Sequence, residues 1–230
     1  MIESSPVVPD GIAVPERVAK TLRDRIVEGD LRPGAPLREV ALADELGVSR
    51  NTLREAIRLL TTEELVDVKR HRGAVVKMIT VEEVRDIYLV RRTLELRAVE
   101  DSALATDRAM AALERSCRAA EQAAGAGSWR EVGTASLRFH QALVATLGSP
   151  RLDALFGTTV AQMRLAFAAI ADEGDFQQSF VPRDREICDL LAAGSRAAAA
   201  AALRRYLDDA ERAVVEVLRL HPVPNDATPA

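Results

Sequence analysis

Residues 41–56 read ALADELGVSRNTLREA, and this stretch decides the fold of the first part of the chain. Leu42 and Leu46 lie on the apolar face of one short helix, and Gly47 ends that helix by permitting a sharp chain reversal. Ser49 follows, a residue type that caps helix N-termini. The stretch therefore predicts two short helices joined by a tight turn, which is a helix-turn-helix.

The second predicted helix is polar at its start and apolar on one face. Its apolar positions are Leu53, Ala56, Ile57 and Leu60. Its first turn instead carries Arg50, Asn51 and Thr52, and Arg54 follows one turn later. Arginine can bind guanine through two hydrogen bonds, asparagine can bind adenine, and threonine can contact phosphate or a thymine methyl. These residues predict a helix that reads the DNA major groove, although a solvated face on an ordinary amphipathic helix is the alternative.

A basic hairpin is predicted directly after this helix. Residues 65–69 alternate like a strand and residues 74–76 like its partner, with Arg70, His71, Arg72 and Gly73 forming the turn. Such a turn can contact the phosphate backbone or the minor groove beside a reading helix. The two elements together favour a winged helix-turn-helix that binds DNA over a merely solvated basic face.

Helix periodicity replaces strand-like alternation near residue 79. From Thr80 to residue 221 the apolar positions recur at helical spacing, except at 172–181, where we expect a polar loop. We therefore predict a mainly α fold in four parts. These are a disordered arm at 1–13, a winged helix-turn-helix domain at 14–78, an all-α antiparallel helical bundle at 79–221 and a flexible tail at 222–230.

Composition and charge are those of an ordinary globular protein. Of 230 residues, 48% are hydrophobic and 29% are charged, which suits a packed core. The net charge of −4 arises after residue 79, because residues 1–79 hold 13 basic and 13 acidic side chains. Two isolated cysteines argue against a disulfide framework and for a reducing cytoplasm. We expect neither a signal peptide nor a membrane-spanning helix.

Residues 18–76 resemble the GntR family of bacterial regulators. The likeness rests on Pro33-Gly34, Leu37-Arg38-Glu39, residues 46–56, Leu65-Val66 and residues 72–76. The resemblance implies DNA contacts from Arg38, Arg50, Thr52, Arg54 and the wing tip. The full predicted set is Arg38, Ser49, Arg50, Asn51, Thr52, Arg54, Arg70, His71, Arg72 and Gly73. Glu64 departs from the family's usual glycine, and Arg70-His71 from its frequent Pro-Gly.

Residues 80–221 resemble the helical ligand domain of the FadR-like subgroup, known as FCD. The matching stretches are residues 91–95, 139–143, 187–194 and 203–207. The resemblance implies an antiparallel helical bundle with a central cavity for a small carboxylate effector. Many members hold a divalent metal there through one aspartate and three histidines. In this chain those four positions are Ser136, His140, Asp184 and Tyr206.

We expect no metal and no required cofactor, because a metal site needs about three protein ligands. His140 and Asp184 could still supply two ligands, or His140 could be a pocket or core histidine hydrogen-bonded to Asp184, Tyr206 or Ser136. The predicted effector-binding residues are Arg91, Ser136, His140, Arg164, Asp184 and Tyr206. For each arginine a structural salt bridge is the alternative, for instance between Arg91 and Glu95 one turn later.

These features predict a sequence-specific DNA-binding transcription regulator, acting as a repressor. It would be a homodimer on an inverted repeat of double-stranded DNA, with an affinity that a small organic acid changes. We expect a cytoplasmic protein at nucleoid DNA, without a membrane partner and without enzymatic activity, since no phosphate loop, nucleophile elbow or histidine cluster is apparent. The alternatives are a ligand-independent DNA-binding protein with a filled bundle, and an enzyme using a pocket at His140.

Overall fold

The computed structural model describes residues 13–70, 72–168, 170 and 173–220. The predicted arm up to residue 12, His71 and the tail from residue 221 lie outside the described residues. The helices are α1 Val14–Val27, α2 Glu39–Glu45, α3 Arg50–Thr62, α4 Val81–Asp101, α5 Asp107–Gly125, α6 Trp129–Ala145, α7 Pro150–Phe167, α8 Glu173–Gln178, α9 Val181–Ala192 and α10 Arg196–Leu220. The strands are β1 Val66–Lys69 and β2 Gly73–Val76.

The first three helices and the hairpin form the winged helix-turn-helix that the sequence predicts. Leu22 of α1 and Leu53 and Leu60 of α3 are fully buried between these helices. Strands β1 and β2 pair antiparallel, with Val66 opposite Val76. The connector between α1 and α2 extends this small sheet, because the amide of Leu37 donates to the carbonyl of Ala74 at 2.8 Å. The mainly α fold class is confirmed.

Helices α4 to α10 pack as a helical bundle around an aliphatic and aromatic core. Helix α10 packs against α4 and α9, and α6 packs against α5 and α7. Helix α4 begins at a capping box, in which Thr80 accepts from the amide of Glu83 and Glu83 accepts from the amide of Thr80. Across the residues that the structure describes, no helix is both long and apolar enough to cross a membrane.

The region 172–181, expected to be a loop, contains the short helix α8. Phe176 of α8 lies between Phe167 and Phe180, with ring centroids 5.3 Å and 4.8 Å away. Burying this aromatic cluster orders a segment whose composition is otherwise polar. The expectation of a loop was therefore wrong for Glu173–Gln178.

The two parts of the chain are joined by contacts between α1 or α3 and the bundle helices α6 and α7. The hydroxyl of Thr134 donates to the carbonyl of Val27 at 3.3 Å, and the amide side chain of Gln162 donates to the carbonyl of Glu63 at 2.9 Å. Ion pairs at the same junction are Arg130–Asp30, Arg138–Glu28 and Lys77–Glu83. The C-terminal ends of both helices are thus anchored on the bundle.

Glu64 ends α3 in the left-handed conformation, with φ of 56°. The amide of Glu64 donates to the carbonyl of Thr61 at 3.1 Å, and the amide of Leu65 donates to that of Leu60 at 2.9 Å. These two hydrogen bonds make a Schellman cap, in which glycine is the favoured left-handed residue. The departure from the family's glycine therefore places a strained residue at the end of α3.

Replacing Glu64 by glycine should stabilise the protein by about 1 kcal/mol, because glycine adopts this conformation without the Cβ clash. Loss of the ion pair between Lys77 and Glu64 offsets little of this gain in stability, since the Glu64 side chain is 63% exposed. Denaturant unfolding would measure the change. The control Glu216→Gly, at an exposed helical position of α10, should destabilise by about 1 kcal/mol. A loss of stability in Glu64→Gly would show that the left-handed conformation of Glu64 is not strained.

Candidate functional site

The first turn of α3 presents polar side chains to solvent. Ser49 caps the helix, accepting from the amide of Thr52 at 3.1 Å, and its hydroxyl also lies 2.8 Å from the hydroxyl of Thr52. Arg50 and Asn51 are exposed at this end, while Leu53 is completely buried on the opposite face. The helix therefore has the polar start and apolar inner face that a DNA-reading helix requires.

Arg54 on α3 forms an ion pair that the sequence did not indicate. Its Nε atom lies 2.6 Å from a carboxylate oxygen of Glu39 in α2, and the Arg54 side chain is 61% exposed. An ion pair this exposed contributes little to stability, so a phosphate can replace the carboxylate. Arg38 is also exposed, at the N-cap position of α2.

The wing tip is the turn between β1 and β2. Arg70, Arg72 and Gly73 are exposed there, and Gly73 adopts a left-handed φ of 71°. His71 lies outside the described residues. The exposed basic side chains of α3 and of the wing belong to one small domain, and their contacts with DNA remain a prediction.

Seven polar side chains meet inside the helical bundle, and we call them the polar centre: Tyr88, Arg91, Glu95, Ser136, His140, Asp184 and Tyr206. Helix α4 contributes the first three, α6 the next two, and α9 and α10 one each. All seven are at most 4% exposed. Charged side chains are buried this deeply only when they have partners, so the partners decide what the centre can do.

Glu95 connects two of these helices. One of its carboxylate oxygens lies 2.7 Å from Nε of Arg91, and the other lies 2.6 Å from Nδ1 of His140. Burial opposes ionisation, but Arg91 and His140 together hold the pKa of Glu95 below its usual value. The alternative expectation of an Arg91–Glu95 salt bridge is thus what the structure contains, and sequence reasoning missed Glu95 as the partner of His140.

The partners expected for His140 are arranged differently. Ser136 and Tyr206 share a hydrogen bond of 3.3 Å between their hydroxyls. Nε2 of His140 lies 3.7 Å from a carboxylate oxygen of Asp184, beyond hydrogen-bond distance. The ring of Tyr206 meets that of His140 edge-on, with centroids 4.9 Å apart.

Five buried polar atoms of the centre have no hydrogen-bond partner among the described residues. They are the Tyr88 hydroxyl, Nη2 of Arg91, Nε2 of His140 and both carboxylate oxygens of Asp184. Leaving such an atom unsatisfied costs about 1–3 kcal/mol, so native proteins rarely leave several together. Ordered water or a bound polar molecule would satisfy these atoms.

The polar centre does not provide the ligands that a metal ion needs. Burial raises the pKa of Tyr206 well above its usual value, so its oxygen stays protonated. Ser136 has no carboxylate to offer, and among the described residues no three histidine, cysteine, aspartate or glutamate side chains are placed to share an ion. The metal of related domains therefore does not fit this set of residues.

Arg164 lies apart from the other predicted effector-binding residues. Its guanidinium packs against Gly29, at the end of α1, and lines a cavity at the junction with the bundle. Five of the six predicted residues meet in the polar centre, and Arg164 does not contribute to it. Tyr88 was missed, although its position three residues before Arg91 places it on the same face of α4.

Replacing Asp184 by asparagine should stabilise the ligand-free protein at high pH. Burial raises the pKa of Asp184 to about 6, so the folded state favours the protonated carboxyl and loses stability as the pH rises through 6. Asparagine does not ionise, so the substitution removes a destabilisation of roughly 3 kcal/mol at pH 8, which is the cost of ionising the buried carboxyl. Thermal melts should show a gain at pH 8 that is about three times the gain at pH 4.5, because at pH 4.5 the unfolded carboxyl is ionised but the folded one is still protonated. Equal gains at both pH values would contradict this assignment.

Two family models match the chain. The model described as bacterial regulatory proteins, gntR family, matches residues 15–76, and the FCD domain model matches residues 86–209. The second match alone covers more than half of the 230 residues.

Relatives with curated names are transcriptional regulators. The gluconate operon transcriptional repressor of Bacillus licheniformis is 43% identical over 79 residues, which are 34% of this chain and 32% of that repressor. The chain thus matches about a third of that relative's length. The galactonate operon transcriptional repressor of Escherichia coli (strain K12) is 27% identical over 187 residues, which are 71% of this chain and 81% of that repressor.

Solved structures share the whole architecture. A structure described as the transcriptional regulator GntR from Rhodococcus sp. RHA1 is 36% identical, with a TM-score of 0.81 over 88% of this chain and 97% of that one. McbR/YncC of E. coli shares the fold, with a TM-score of 0.76 and 19% identity over 91% of this chain and 99% of that one. Two consecutive family models and a similar structure along nearly its full length show that the chain belongs to the GntR family of bacterial regulatory proteins and carries an FCD domain.

Proposed function

We propose that the chain is a transcriptional repressor that binds a specific DNA sequence through α3 and the wing. The observation that carries this proposal is the start of α3, where Arg50 and Asn51 project from a capped helix whose other face is buried. The arginine and asparagine side chains match the hydrogen-bonding edges of guanine and adenine. The relatives named above are operon repressors, which supports repression of transcription over activation.

The DNA target is an inverted repeat bound by a homodimer. A twofold dimer places two reading helices in successive major grooves, so the half-sites lie about 10 base pairs, or a multiple, apart. The exposed Arg38, Arg70 and Arg72 then contact phosphates and set the register without reading sequence.

Replacing Arg50 by glutamine should reduce affinity for the operator by about 10- to 100-fold, because one bidentate base contact contributes roughly 1–3 kcal/mol. Affinity for unrelated DNA should change much less. Fluorescence anisotropy with operator and scrambled duplexes at equal salt would measure both. Arg204→Gln, at an exposed position on α10, is the matched control and should bind as the wild type does. An unchanged operator affinity in Arg50→Gln would show that α3 reads DNA through other residues.

The effector of this repressor is a small carboxylic acid bound in the polar centre. The unsatisfied Nη2 of Arg91 and the Tyr88 hydroxyl can donate to a carboxylate, and the oxygens of Asp184 can accept from a hydroxyl. A hydroxy acid carries both groups. The gluconate and galactonate operons named for the relatives agree with an acid of this class.

Helix α6 provides the route from this effector to the DNA-binding domain. It carries Ser136 and His140 of the polar centre, and its Thr134 donates to the last carbonyl of α1, that of Val27. Helix α1 packs directly against α3. A bound acid changes DNA affinity by favouring one placement of α6, and therefore of α1, over another.

Replacing Tyr88 by phenylalanine should weaken effector binding about tenfold while leaving the ligand-free protein at least as stable as the wild type. The substitution removes only a buried hydroxyl that has no partner. A thermal-shift screen of hydroxy acids, with metal content measured on the same sample, would identify the effector, and calorimetry on both proteins would give the two affinities. Equal affinities of the wild type and the variant would show that the acid does not contact Tyr88.

The second candidate is a repressor that needs no ligand. The near-complete burial of the polar centre favours this reading, because a closed core leaves little space for a molecule. In that case no acid would raise the melting temperature, and operator affinity would be constant across the screen. The relatives reported above are named as regulators, and we propose no enzymatic role for His140.

A further inference from the structure

Three arginines line a cavity of about 250 Å³ where the DNA-binding domain meets the bundle, and we call it the junction cavity. Arg32 comes from the connector between α1 and α2, Arg130 from the first turn of α6, and Arg164 from the last turn of α7. The other lining residues are apolar or glycine: Ile26, Gly29, Leu31, Pro33, Leu165, Phe167, Ala168 and Ile170. Among the described residues, therefore, no carboxylate lines the cavity.

The three guanidinium groups differ in burial and in the partners they have within the protein. Arg32 is exposed, and within the described part of the chain its side chain has no hydrogen bond or ion pair. Arg130 pairs with Asp30 at 3.3 Å, but both side chains are more than half exposed, so this pair contributes little. Arg164 is 5% exposed and already has a partner within the protein. Two of the three can therefore turn toward a ligand.

Gly29 shapes the wall of this cavity. It has a left-handed φ of 77°, and a Cβ atom built on it would lie 2.8 Å from Nη2 of Arg164. The absence of a side chain lets the guanidinium lie directly against the backbone at the end of α1. Arg164 is thereby buried against one wall, while Arg32 and Arg130 border the cavity from other elements.

Helix dipoles explain only part of this arrangement. Helices α1 and α7 both end at the junction cavity, and their terminal carbonyls favour a cation such as Arg164 there. Arg130, however, lies in the first turn of α6, where the dipole disfavours a cation. Arg32 lies on a connector outside any helix. The helix ends therefore account for Arg164 but not for Arg32 or Arg130, and the exposed pair with Asp30 is the one structural role seen for Arg130 among the described residues.

We propose that the junction cavity binds a small phosphorylated metabolite through Arg32 and Arg130, against the wall formed by Arg164. Guanidinium groups match phosphate oxygens with paired hydrogen bonds, and the N-terminal end of α6 adds favourable charge. The cavity holds the equivalent of roughly eight waters at about 30 Å³ each, which leaves room for a phosphate and a short carbon skeleton. Since Arg32 belongs to the DNA-binding domain and Arg130 to the bundle, a ligand bound to both arginines stabilises the contact between the two domains.

Calorimetry on the full-length protein without DNA tests this site, with glycerol 3-phosphate and inorganic phosphate as probes. Malonate and sodium chloride at equal ionic strength are the comparison arms. We expect binding of glycerol 3-phosphate that weakens by at least about tenfold in the double variant Arg32→Gln, Arg130→Gln. Both side chains are exposed, so the double variant should fold, which its unfolding curve would verify. The exposed Arg108→Gln on α5 is the matched control and should bind as the wild type does.

Three results would overturn the proposal. One is no binding of either phosphate up to about 10 mM beyond the effect of sodium chloride. Another is equal affinity in the double variant and the wild type. The third is that malonate binds as tightly as glycerol 3-phosphate and loses that binding in the double variant, which would show that the junction cavity takes any anion. Binding in the polar centre would survive in the double variant, and none of these measurements involves the operator, so the outcome is independent of the function proposed above.

Discussion

The carboxylate of Glu95 is the interaction on which the interior of the bundle depends. It accepts from Arg91 on its own helix and contacts His140 on α6, and both partners are as deeply buried as it is. Removing one member of a buried ionic group typically costs about 3–5 kcal/mol, because the charges left behind are uncompensated. The contact also sets the register of α4 against α6, since sliding either helix by one turn would separate the groups. The apolar packing around the centre then has only one alignment that satisfies the charges.

Helix α6, together with its neighbour α7, also holds the DNA-binding domain. Helix α6 reaches the end of α1 through Thr134, and α7 reaches the end of α3 through Gln162. Both hydrogen bonds are made to backbone carbonyls at helix ends, which must find a donor when they leave solvent. The placement of the DNA-binding domain is thus tied to the bundle by main-chain groups, and side-chain substitutions in α1 and α3 leave these links available.

Turns and helix caps could be predicted from the sequence, because a few neighbouring residues determine them. The turn at Gly47 and the cap at Ser49 form as predicted. The bundle interior was predictable only where a resemblance named positions. Glu95 was missed as a partner of His140 because 45 residues separate them, and a pattern along one helix carries no information about another. The position of Arg164 outside the polar centre could not be predicted for the same reason, since its apolar neighbours on α7 do not reveal which cavity the helix borders.

The ion pair between Arg54 and Glu39 has a consequence for the search for an operator, given the proposed role of α3 in binding DNA. In the free protein Glu39 already neutralises Arg54, so the reading helix carries less effective positive charge than its composition implies. Random phosphates must displace a carboxylate to gain this arginine, and the gain in released counterions is correspondingly smaller. Glu39 is then left facing a negatively charged duplex, a repulsion that only a well-matched site offsets. If Arg54 contacts DNA as proposed, such a pair would shorten the time spent on unrelated DNA and favour discrimination over general affinity.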